Sequence, residues 1–178
     1  TETINLIKSK KIFLYDIDET ALIICGKRIS LLYGEDVIDN INFISNDFLN
    51  KEITLPNNCK VISNPPYNSI KEFKETYNIT KNMQSSKELY SAIMEKILTG
   101  SNSSVIISPY SFLGGNKFYE FRKIMNNYNG FIVSFDNVPG NIFKGKKHGT
   151  FNSNLSNSVR ASITVTENKP HKKGYKCS

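Results

Sequence analysis

Residues 11–15, KIFLY, form an almost unbroken apolar run that ends at Asp16, the pattern of a buried strand. From Glu19 to Tyr33 the side chains Leu22, Cys25, Ile29 and Leu32 recur at helical spacing, and Gly34 stops the run. INFIS (41–45) predicts a second strand, ending near Asp47, and CKVIS (59–63) a third. Leu89, Ile93 and Ile97 predict a helix over 87–98, closed by Gly100, and SVIIS (104–108) is a fourth strand cut by Pro109. Phe118, Phe121, Met125 and Tyr128 give another helical stripe, and GFIVSF (130–135) and RASITVT (160–166) are the last strands. Two stretches lack such patterns. Residues 69–86 are polar and read as a loop with room for one helical turn, and 137–158, rich in glycine, asparagine and serine, as a long loop with few apolar anchors. The opening TETINLIKSK reads as the tail of a helix.

Strands alternating with crossover helices predict the α/β class: an open, mostly parallel sheet with helices on both faces and an antiparallel strand at the end. The length, 178 residues, suits one domain with a real core. Open sheets of this kind place ligands beyond the carboxyl ends of their strands. Here those ends carry Asp16, Asp47, Asn64 to Tyr67 and Pro109. Of these, VISNPPYNS (61–69) is the most informative. Prolines donate no backbone hydrogen bond and do not sit inside a central strand, and Asn64 before Pro65 is pushed toward extended backbone. The chain is therefore expected to leave the sheet at Ser63 and hold an amide, a carbonyl and an aromatic ring in nearly fixed positions.

The net charge of +7 changes the picture because it is unevenly placed. Residues 1–143 hold fifteen basic and fifteen acidic side chains, whereas 144–178 hold eight basic residues against Glu167 alone. Such a tail is either a solubilising face or a site for a polyanion such as nucleic acid. The three cysteines, Cys25, Cys59 and Cys177, have no metal-like spacing and are odd in number, so they read as reduced thiols of a cytoplasmic protein, with no metal site expected. No apolar run approaches the length of a membrane span.

NPPY at 64–67, after a hydrophobic strand, resembles the catalytic motif of S-adenosylmethionine-dependent amino-methyltransferases, above all the N6-adenine-specific DNA methyltransferases. FLYDIDETAL (13–22) is similar to the segment whose acidic residue ends the second strand, and ISNDFL (44–49) to the one that holds the cofactor adenine. ELY (88–90), IISPYSFL (106–113) and NIFKG (141–145) before VRASITV come in the family's order. The resemblance covers most of 11–167 and implies a Rossmann-like class I methyltransferase fold lacking its first strand and glycine-rich turn. It makes 1–167 a partial catalytic domain and 168–178 a basic lead toward a missing target recognition region.

The resemblance also implies a role for each matched residue. Asp16, with Ile17 beside it, would bind the ribose hydroxyls of S-adenosyl-L-methionine; Asp47 would accept from its adenine amino group, with Phe48 near the ring. Asn64 and Pro65 carbonyls would accept from the target amino group, Asn64 also bordering the cofactor. Pro66 would belong to the catalytic motif, Tyr67 would stack on a flipped base and Phe143 close its other side, with Lys144, Lys146 and Lys147 on double-stranded DNA. A restriction nuclease, fused or separate, would be the associated partner. Plainer readings stand beside these: Asp16 and Asp47 as caps or turn residues, the prolines as strand terminators, Tyr67 and Phe143 as packing anchors, Glu88 as a first-turn helix residue, His148 and His171 as surface groups. Methylation of a protein glutamine or of RNA adenine, and a non-catalytic nucleic-acid-binding remnant, are the rival functions.

Overall fold

The computed structural model describes residues 2–135, 144–145, 157–158 and 161–167. The chain divides into two compact units, Thr1–Ile53 and Thr54–Ser178. In the first, helix α1 (Glu2–Lys8) precedes strand β1 (Ile12–Asp16), helix α2 (Glu19–Tyr33), a 3-10 turn over Glu35–Asn40 and strand β2 (Ile41–Ser45). β1 and β2 pair in parallel, Ile12 opposite Ile41 and Asp16 opposite Ser45, with α2 as the crossover that parallel pairing requires. Asp18 caps α2: its carboxylate accepts from the N–H of Thr20 at 2.8 Å and Ala21 at 3.4 Å, satisfying donors the first turn leaves open. Gly34 ends the helix with φ of 99°, a conformation that side chains resist. Ile7, Val37 and Ile41 form the core, packed by Ile12, Leu14, Ile29, Ile38 and Phe43.

In the second unit strand β3 (Lys60–Ser63) precedes helices α3 (Lys81–Ser86) and α4 (Leu89–Gly100) and strand β4 (Ser103–Pro109). Two 3-10 turns, Tyr110–Leu113 and Asn116–Phe118, lead to helix α5 (Tyr119–Met125) and strand β5 (Asn129–Ser134). A two-residue pair, β6 (Lys144–Gly145) with β7 (Asn157–Ser158), precedes the final strand β8 (Ala161–Glu167). The sheet runs β3-β4-β8-β5, with β3 parallel to β4 and β8 antiparallel to both β4 and β5. The α/β class, helix-flanked parallel pairing and antiparallel last strand all agree with the reading of the sequence. The pairing is mixed: β1 with β2 and β3 with β4 run parallel, and β8 runs antiparallel to both its neighbours.

The two faces of the four-stranded sheet divide in an unusual way. Ser104, Ile106 and Ser108 of β4 and Ser162, Thr164 and Thr166 of β8 are buried. The Ser104 and Thr166 hydroxyls lie 2.7 Å apart, and Ser162 donates to the Ser108 carbonyl at 3.3 Å, whereas Ser108 Oγ and Thr164 Oγ1 have no partner among the described residues. The alternate positions form a cross-strand row, Ile62–Val105–Val165–Phe131, in which Ile62 is 89% and Phe131 61% exposed.

Residues 69–86 are a loop with one short helix, as expected, but the segment is anchored rather than loose. Thr80 accepts from the Met83 N–H at 3.1 Å and caps α3, while Asn82 and Met83 are buried. Asn82 Nδ2 donates to Glu95 at 3.0 Å and to the Ser91 carbonyl at 3.2 Å, and Ser91 Oγ donates to Asn82 Oδ1 at 2.9 Å. A polar side chain anchors the segment, so apolar periodicity carries no trace of it. The long 137–158 loop, apart from β6 and β7, and the basic 168–178 segment lie outside the described residues.

Candidate functional site

β3 ends at Ser63, as the two prolines require, and the next four residues leave the sheet. Asn64 is exposed, Pro65 buried and Tyr67 half-buried. Tyr67 donates its hydroxyl to Asn64 Oδ1 at 2.8 Å, closing the turn on itself. Burial pushes the Tyr67 hydroxyl above its ordinary pKa, which keeps it a neutral donor. A carboxamide oxygen has two lone pairs, so this bond leaves Asn64 one more acceptor direction. The emerging chain is then tied to the start of α4. The Leu89 N–H donates to the Asn68 carbonyl at 2.9 Å and the Ile70 N–H to the Lys87 carbonyl at 2.7 Å. Glu88, at the cap position of α4 rather than in its first turn, accepts from Ser69 at 3.4 Å and pairs with Lys117 at 2.5 Å.

Tyr90 and Ser111 belong to this cluster; they fall within the ELY and IISPYSFL segments, but neither has a role in the reading of the sequence. Tyr90 is 2% exposed, and its ring meets that of Tyr67 edge to face, centroids 6.3 Å apart at 78°. Its hydroxyl lies 2.8 Å from Ser111 Oγ, in the 3-10 turn after β4. Burial, moderated by the Ser111 bond and aided by the Glu88 charge, pushes the Tyr90 pKa up to about 12. The sequence signal was available: Tyr90 precedes the α4 stripe Ile93–Ile97 by one turn, and a buried tyrosine needs a partner for its hydroxyl. Arg122 supports the same turn by donating to the Phe112 and Gly115 carbonyls, both at 2.8 Å.

In the first unit Asp16 and Asp47 lie at and just beyond the carboxyl ends of neighbouring parallel strands. Asp16 Oδ1 accepts from the Asp18 N–H at 2.9 Å, so it is a turn residue, yet its side chain is exposed to solvent. Asp47 Oδ1 accepts from the Leu49 N–H at 3.1 Å, and Phe48 packs edge-on to Tyr15 at 5.5 Å. Ile17 is 66% exposed. A groove of about 610 Å³ between α2, the 3-10 turn and β2, floored by Leu22, Ile38 and Phe43, includes none of these four residues. Phe143, Lys146 and Lys147 lie outside the described residues, and Lys144 is placed only as backbone of β6. Among the described residues no group of His, Cys, Asp or Glu is placed to hold a metal ion, and no helix is long and apolar enough to cross a membrane.

No family model and no curated protein matches the chain. Among solved structures, one from Listeria monocytogenes, provisionally described as a class I S-adenosylmethionine-dependent methyltransferase, is similar at a TM-score of 0.45 and 15% identity. The match takes in 96% of this chain and 60% of that one, so the chain spans about three fifths of the length of the protein it is similar to. A likeness at that level assigns no residue a role.

Proposed function

We propose that this chain transfers a methyl group from S-adenosyl-L-methionine to the N6 amino group of a flipped adenine in DNA, as the modifying activity of a restriction–modification system. The observation that carries the reading is the Asn64–Tyr67 turn. There an exposed carboxamide oxygen, held by an aromatic hydroxyl 2.8 Å away, stands at the end of a parallel strand. The first unit supplies groups that fit the cofactor: an exposed carboxylate at Asp16 for ribose hydroxyls, and Asp47 with Phe48 for adenine. When bound, the cofactor supplies an electrophilic methyl group on a sulfonium centre.

An exocyclic adenine nitrogen is a poor nucleophile because its lone pair is delocalised into the ring. Asn64 Oδ1 and the Pro65 carbonyl, as acceptors for its two protons, favour a pyramidal nitrogen and free that lone pair for attack. This is positioning and electrostatic help, and no strong base is required. Tyr67 provides a stacking surface whose hydroxyl is already anchored, with Phe143 for the opposite face and Lys144, Lys146 and Lys147 for phosphates. Extruding a base costs a few kcal/mol, and stacking on an aromatic ring offsets about 1–3 kcal/mol of it.

The test is nucleoside mass spectrometry of unmethylated mixed-sequence DNA incubated with the chain and S-adenosyl-L-methionine, alongside denatured DNA, RNA and a glutamine-containing peptide. N6-methyladenine in DNA that disappears with Asn64→Ala is expected. A modified glutamine or RNA adenine without modified DNA overturns the substrate, and no transfer to any acceptor overturns the activity.

A further inference from the structure

Three contacts connect the Asn64 carboxamide to the turn after β4. Tyr67 donates to Asn64 Oδ1 at 2.8 Å, the Tyr90 ring stands edge to face with Tyr67, and the Tyr90 hydroxyl meets Ser111 Oγ at 2.8 Å. Only the outer ends of this series, Asn64 and Ser111, are exposed; Tyr90 between them is buried. A second ring, Phe118, lies 5.7 Å from Tyr90, so its ring is held by neighbours as well as by its hydroxyl. The half-buried Tyr67 ring thus borders a side chain that is itself pinned by two elements, α4 and the 3-10 turn Tyr110–Leu113.

We propose that Tyr90 is the positioning residue of the Asn64–Tyr67 turn: its anchored ring sets that of Tyr67, whose hydroxyl orients the Asn64 carboxamide oxygen toward the acceptor amine. The inference rests on the proposed methyl transfer for its catalytic consequence, but not for its structural one. If Tyr67 loses its neighbour, its ring gains freedom and the carboxamide loses the bond that specifies which of its ends faces the acceptor. The oxygen accepts an N–H whereas the amide nitrogen repels one, so misorientation acts on the transfer step. Small misplacements at a reacting centre reach a hundredfold in rate. Tyr90→Phe keeps the ring contacts and loses only the Ser111 bond; Tyr90→Leu loses both.

The chain labelled with 3-fluorotyrosine provides the first readout. The Tyr67 ¹⁹F resonance, identified by its absence in Tyr67→Phe, is expected to stay within its native line in Tyr90→Phe and to shift and broaden in Tyr90→Leu. Methyl transfer provides the second: Tyr90→Leu is expected to lower kcat about 10- to 100-fold with KM for S-adenosyl-L-methionine unchanged, and Tyr90→Phe to restore most of it. Tyr90→Met, which also removes the ring but stays closer to it in volume, serves where the leucine variant does not fold and is expected to shift and broaden the same resonance, whereas Ser111→Ala, which loses only the hydroxyl bond, is expected to behave as Tyr90→Phe. An unmoved Tyr67 resonance in Tyr90→Leu, or in Tyr90→Met where the leucine variant does not fold, overturns the positioning role. So does a fall in kcat that Tyr90→Phe fails to reverse. If the unaltered chain methylates no acceptor, the proposed function falls, while the ¹⁹F readout still decides whether Tyr90 holds the turn.

Discussion

Asn82→Ala tests whether polar burial, not apolar packing, holds the segment beyond the Asn64–Tyr67 turn. Asn82 is fully buried, and its amide makes three hydrogen bonds to α4: to Glu95 at 3.0 Å, to the Ser91 carbonyl at 3.2 Å, and from the Ser91 hydroxyl at 2.9 Å. The bond to the Glu95 carboxylate is worth about 1.5–3 kcal/mol and each neutral bond about 1 kcal/mol. Glu95 keeps its bond from Thr80 at 2.7 Å, so the variant does not strand a bare carboxylate. Bonds sharing one network do not add fully, and a net loss of about 3 kcal/mol is expected. The chain has no tryptophan, so urea unfolding is followed by tyrosine fluorescence and far-ultraviolet circular dichroism. With a slope of about 2 kcal/mol per molar urea, the midpoint falls by about 1.5 M. A double-mutant cycle with Glu95→Gln isolates the shared bond, and a coupling of about 1 kcal/mol or more is expected. A loss below about 0.5 kcal/mol, the level of an ordinary surface change, refutes the idea that Asn82 anchors the segment.

Other sites give four further expected outcomes. The Tyr90 pKa is about 12 in the fold and near 10 in the unfolded chain, so its stabilisation is complete below pH 10 and is lost as pH rises toward 12. The loss reaches about 2–3 kcal/mol by denaturant titration from pH 9 to 12, and Tyr90→Phe is expected to flatten that part of the profile. A Cβ at Gly130 would lie 2.1 Å from the Val165 carbonyl oxygen, so Gly130→Ala must displace backbone between β5 and β8 and is expected to cost about 3 kcal/mol or more in thermal and chemical unfolding. Thr164→Val removes a buried hydroxyl that has no partner among the described residues, and is expected to raise stability by about 1 kcal/mol, a rise of about 2–4 °C in Tm. Asp18→Ala removes the α2 cap and is expected to cost about 1 kcal/mol, checked by the same urea titration.

Much of the architecture was legible where burial is apolar and local. INFIS is strand β2 with the expected bounds, and the runs at 11–15, 59–63, 104–108, 130–135 and 160–166 each became a strand within one or two residues. Proline chemistry alone placed the exit from β3 at Ser63. The same reasoning missed Glu35–Asn40, whose apolar pair Val37–Ile38 is too short to show a period, and the anchoring of α3, whose buried anchor is an asparagine. Gly100, read as the close of α4, is its last residue, with a Cβ position only 3.2 Å from Leu55.

Local pattern therefore determined which segments would be strands and helices, and set an asparagine, two prolines and a tyrosine at a strand end. Only the tertiary structure decided that β8 inserts between β4 and β5, because a strand chooses its neighbours through backbone hydrogen bonds to residues distant in sequence. It likewise decided that hydroxyls occupy the buried face of that sheet, and that Tyr90, 23 positions beyond Tyr67, is the ring against which Tyr67 rests. Periodicity records where a side chain points along its own element. It carries no record of which distant donor, acceptor or ring will meet it there.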